Sequence, residues 1–154
     1  MSFFKKLHSY FMNASSNVSN VEIANKVAST AVLFRKYFPD ASVNFSPWDN
    51  SKDEAKLDTL DFAFHFPGWS PLIECRAILL QLRIEHVNDN RVPKLLGIIM
   101  RGMIIPSERW RVATIGEWEM TGTHLPHKDQ KDNLFLVCKE LYNLFSTTSA
   151  SNKN

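Results

Sequence analysis

Across residues 60 to 121, apolar and polar side chains alternate with a period of two over four successive stretches, which constrains the fold more than any other feature. Leu60, Phe62, Phe64 and Phe66 share one parity, with Asp61, Ala63 and His65 on the other. Over residues 76–86, Ile78, Leu80, Leu82 and Ile84 oppose Ala77, Leu79, Gln81, Arg83 and Glu85. A third stretch covers residues 95–105. A fourth covers about 109–121, where Trp110, Val112, Thr114, Gly116, Trp118 and Met120 face away from Arg111, Ala113, Ile115, Glu117 and Glu119. Successive side chains of a strand point to opposite sides of its sheet, so each stretch is expected to be a strand with one oily side.

Helical periodicity brackets these strands. Ile23, Val27, Ala31, Phe34 and Phe38 recur at three- and four-residue steps in a helix expected from residue 19 or 20 to about 38. Leu134, Val137, Cys138, Leu141 and Phe145 do the same over about 129–145. A short strand opens "SVNFSPWDN" before a polar connection with a single helical turn around residues 54–57. The expected fold is α+β: an antiparallel β-meander of about four to five strands, with the N-terminal-half helix and the C-terminal helix packed on one face. One segment reads two ways. "SPLIECRAILLQL" has Ser70 and Pro71 placed to start a helix, but a helix would scatter its apolar side chains around the cylinder, and the strand reading agrees with its neighbours.

The size, 154 residues, fits one domain. The organisation expected is an amphipathic N-terminal helix or arm at 1–18, a single α+β domain at 19–146 and a disordered polar tail at 147–154. In the arm, Phe3, Phe4, Leu7, Tyr10 and Phe11 form a stripe broken by "NASSNVSN". Such a stripe docks on its own domain or pairs with a partner, and weak peripheral membrane contact through residues 3–11 is a further use of it. No continuous apolar run is long enough for a transmembrane segment, and the start lacks the apolar core of a signal peptide. Two cysteines are too few for a disulfide framework, which favours a reducing, cytoplasmic setting.

Eighteen basic and sixteen acidic residues are mixed along the chain. No basic stripe of the kind that neutralises phosphates is present, so nucleic acid is not an expected partner. The five glycines are dispersed and none opens a helix, which removes phosphate-cradling loops. No cofactor is expected.

The chemistry-bearing residues are few. In Glu74-Cys75-Arg76, a strand sends Arg76 away from the cysteine, so the thiol lacks the cation that would activate it and reads as core. Asp61 on one strand and Glu74-x-Arg76 on the next resemble the acidic pair plus basic residue of metal-dependent nucleases of the PD-(D/E)xK type, with arginine where that pattern has lysine and no proline before Asp61. That resemblance implies hydrolysis of phosphodiesters. His124 and His127 offer two imidazoles to a metal; histidines before a helix are more often loop residues. Trp48 and Trp69 follow Pro or Gly in loops and suit the rim of a pocket for a flat apolar ligand, whereas Trp110 and Trp118 fall on the core parity.

The sheet face opposite the helices carries Leu79, Ile99, Met103 and Ile115 beside Arg111 and other charges of both signs, a mixture expected of an interface. The leading functional reading is therefore a non-catalytic intracellular module that binds another protein or its own copy, with the nuclease-like enzyme and the apolar-ligand binder as alternatives.

Overall fold

The computed structural model describes residue 14 and residues 21–47, 59–85 and 93–147. The expected arm at 1–18, apart from Ala14, and Trp48, the helical turn at 54–57 and nearly all of the tail lie outside the described residues.

Helix α1 (Val21–Tyr37) precedes β1 (Ser42–Asn44), β2 (Thr59–Ser70), β3 (Cys75–Ile84), β4 (Leu95–Ile104), β5 (Ser107–Ala113) and β6 (Glu119–Gly122), and α2 (Lys128–Phe145) follows. The strands form one antiparallel sheet in sequence order. This is the α+β meander expected from the alternation, with one strand more.

The even-numbered side chains of β2, β3 and β4 make the oily layer. In register, Phe62 meets Leu80, and Leu80 meets Met100. Leu60, Phe62, Phe64, Ile78, Leu80, Leu82, Ile98, Met100 and Val112 are all buried in one cluster with Val27 and Phe34 of α1 and Leu134, Val137, Cys138, Leu141 and Phe145 of α2. Phe34 stacks on Phe64 with ring centroids 3.8 Å apart, fixing α1 over β2. Burying each such side chain contributes about 1.5–3 kcal/mol, so the period-two and helical stripes together specify the layer.

Residues 71–83 do not form a helix. Residues 71–74 are a turn and the strand begins at Cys75. Ser70 organises the turn: its hydroxyl accepts from the Leu72 amide at 3.1 Å, and its carbonyl accepts from Ile73 and Glu74 at 3.3 and 2.8 Å. Pro71 needs no amide partner there, which is why a residue suited to starting a helix also suits this bend.

The expected single strand over 109–121 is two strands. β5 ends at Ala113, and Thr114 keeps one further pairing with β4: its amide donates to Ile98 O at 3.1 Å and its hydroxyl accepts from Ile98 N at 2.9 Å. The chain then turns through Gly116 at φ +81°, and β6 returns beside β5. Parity does not survive a turn, so Trp118 leaves the sheet core. It is 43% exposed and stacks on Phe135 and Tyr142 of α2. Trp110 does hold its core position, fully buried against Gly102, where a β-carbon would overlap the indole.

Candidate functional site

The odd-numbered side chains of β2 to β5 form the second face of the sheet. At its centre Asp61, Ala63, Ala77, Leu79, Gln81 and Met103 are buried. Leu79 and Met103 were expected at an open interface and are instead 4% and 0% exposed. Register accounts for part of this. Leu79 sits between Ala63 of β2 and Arg101 of β4, and Met103 sits opposite Ala77, all on inner strands of the sheet. The chain ahead of α1 also reaches this region, because the amide of buried Ala14 donates to Asp61 O at 3.1 Å.

Charges of alternating sign cross the same face. Asp61 lies near enough to Arg101 to stabilise its charge. Arg101 Nε is 3.3 Å from Glu108 Oε1, and Arg111 places a guanidinium nitrogen 3.1 Å from the same oxygen. Burial, and then repulsion from Arg111, lower the pKa of Arg101, while Glu108 and Asp61 oppose that shift. Glu108 was not among the residues read as functional. Its segment looks like a turn in the sequence, whereas β5 begins at Ser107 and an irregularity in the β4–β5 register brings Glu108 opposite Met103.

Towards the β4–β5 end the face opens. Ile99 and Ala113 are register partners and half-buried, Arg111 is exposed, and Ile115 is 57% exposed. Ile115 leans over Gly97, where an added β-carbon would press on its side chain. Of the proposed interface residues, Ile99, Arg111 and Ile115 thus border one open strip, and Leu79 and Met103 lie beneath the closed part.

Asp61, Glu74 and Arg76 are not brought together. Asp61 pairs with Gln81 and Glu74 precedes Cys75, so about six strand residues, roughly 20 Å, separate the two carboxyl-bearing positions along β3. Glu74 occupies the left-handed turn position at φ 59° and pairs with Arg109 at 3.3 Å. Arg76 is exposed. Cys75 is fully buried, and burial pushes its thiol up to about 12, the reverse of what a nucleophile needs.

His124 Nδ1 is 3.0 Å from Thr123 Oγ1, and His127 caps α2 by accepting from the Asp129 amide at 3.3 Å. Among the described residues no three His, Cys, Asp or Glu side chains gather in a manner that would hold a metal. Trp69 is 44% exposed near the end of β2. No helix among the described residues is long and apolar enough to cross a membrane.

Neither the curated proteins nor the solved structures include a match to the chain. Residues 15–147, which span both helices and the whole sheet, match the model of a family described as a domain of unknown function, and the chain belongs to that family.

Proposed function

We infer that the protein is a self-associating module whose second sheet face pairs with the same face of another copy. The observation that carries this reading is the open strip of Ile99, Ala113 and Ile115 beside Glu108 and Arg111, on a face whose centre is buried. A two-fold axis brings a patch against itself, so a strip holding both charge signs is complementary to its own copy: the Arg111–Glu108 pair of one chain faces the same pair of the other with its signs reversed. A partner of one strong charge would leave one of the two signs opposed. The free, buried Cys75 and Cys138 fit a reducing, intracellular setting for this role.

Sedimentation equilibrium of the full chain tests the reading. The wild type is expected to approach twice the chain mass as concentration rises, and Ile115→Asp to remain a monomer with an unchanged circular dichroism spectrum. A wild type that stays monomeric across the range contradicts it.

A further inference from the structure

On the second face, Asp61 and Ala63 of β2, Ala77, Leu79 and Gln81 of β3 and Met103 of β4 are buried within a single copy of the chain. Both described helices pack on the opposite face, and the second face of an antiparallel sheet meets water unless another segment lies on it. The burial has limits in both directions. Along the strands it ends at His65 and Arg83, which are exposed; across them, Ile99 and Arg101 of β4 are half-buried, and Arg111 of β5 and Glu119 of β6 are exposed. From position 77 to position 81 the closed band is about 14 Å wide. One helix with its side chains is about 10–12 Å across.

The cover enters from the β2 side. β1 pairs with β2 only from Ala63 to His65, which leaves Asp61 on the open rim of the sheet. There the amide of buried Ala14 donates to Asp61 O at 3.1 Å, and burial declines across the strands away from that rim. Passing from β2 to β4 takes two strand spacings, about 10 Å. Residues 3–11 span about 13 Å even if helical, enough to reach β4 and too little to reach β6.

Among the segments outside the described residues, only this one has the apolar side chains to close the band. Residues 48–58 carry six charged side chains, and residues 15–20, 86–92 and 148–154 contain no Phe, Tyr or Trp. The floor suits large rings: Ala63 and Ala77 leave space, and the Met103 thioether makes favourable contact with aromatic side chains. We propose that residues 3–11 of the same chain lie across this band, with the Phe3 to Phe11 stripe against Leu79 and Met103 and with Lys5 and Lys6 towards solvent. The arm thereby sets where the face is closed and where the strip of Ile99, Ala113 and Ile115 stays open, whether or not copies pair there.

Two methionines provide an internal comparison, since Met103 lies in the band and Met100 in the helix-covered layer, and both are fully buried. The full chain is treated with hydrogen peroxide and each methionine is followed by peptide mass spectrometry. Both are expected to oxidise slowly in the wild type. Leu7→Asp, which puts a charge into the cover, is expected to speed Met103 at least about tenfold and to leave Met100 unchanged.

A second measurement stands whether or not Leu7→Asp keeps its fold. A nitroxide on Ser9→Cys, in an isotopically labelled chain whose own two thiols are buried, is expected to broaden the methyl resonances of Leu79 and Met103 and to spare those of Val32, exposed on α1. Refolding that sample with excess unlabelled wild type is expected to leave the broadening in place. Loss of the broadening on such dilution assigns the cover to another copy and overturns the proposal. Oxidation of Met103 no faster than that of Met100 in Leu7→Asp, or Leu79 and Met103 methyl signals as sharp as those of Val32, also overturns it.

Discussion

The ammonium group of Lys26 on α1 lies 2.7 Å from the carbonyl oxygens of both Leu144 and Thr147, at the end of α2. The last turn of α2 has no basic residue of its own, and Lys26 supplies the positive charge that a helix C-terminus favours. Burial lowers the pKa of Lys26, and the nearby charge of Glu22 opposes that shift. Lys26→Met keeps the apolar stem and removes both hydrogen bonds, with an expected loss of about 2 kcal/mol. Urea unfolding checks it: the midpoint falls while the slope stays unchanged.

Gly102 and Trp110 are register partners, and the indole fills the space where a side chain at position 102 would be. Gly102→Ala must displace a ring whose N–H is tied to Ile73 O, at an expected cost of about 1–3 kcal/mol. A lowered thermal midpoint with altered tryptophan fluorescence is the expected result, and an unchanged midpoint contradicts the packing described.

At position 74, the left-handed backbone and the ion pair with Arg109 make separate contributions. Glu74→Ala and Glu74→Gly both lose the Arg109 partner, but only glycine relieves the positive φ. The alanine variant is expected to be less stable than the glycine variant by about 1 kcal/mol. Equal stabilities, compared by denaturant midpoint, argue against this backbone geometry.

Cys75 and Cys138 are buried, and burial pushes both thiols from 9.0 up to about 12. A folded-state pKa above the unfolded one gives stability that is complete below the unfolded value and lost as pH rises through this window, because the unfolded chain releases its thiol protons first. The urea midpoint is therefore expected to fall between about pH 9 and pH 12, and to fall less when both cysteines are alanine. Neither thiol is expected to react with a disulfide reagent until the chain is unfolded.

The layered fold was legible because burial on one side writes its period into the sequence. Phe62, Phe64, Ile78, Leu80 and Leu82 alternate for the same reason that they pack beneath Phe34 and Leu141. Trp118 was misread because alternation says nothing about a reversal, and Gly116 turns the chain just before it. Glu108 was missed because a register irregularity, rather than residue type, brings it beside Arg101 and Arg111. The burial of Leu79 and Met103 depends on their place among the inner strands, which period-two alternation does not report.

Self-pairing through the open strip is tested most directly by disulfide trapping. Cys75 and Cys138 are the only cysteines in the chain and both are buried, so a thiol introduced at position 115 is the reactive one. Mild oxidation of Ile115→Cys is expected to give a covalent dimer in high yield, whereas Lys139→Cys, exposed on α2, gives little. Equal trapping at both positions, or none at position 115, contradicts pairing through this face.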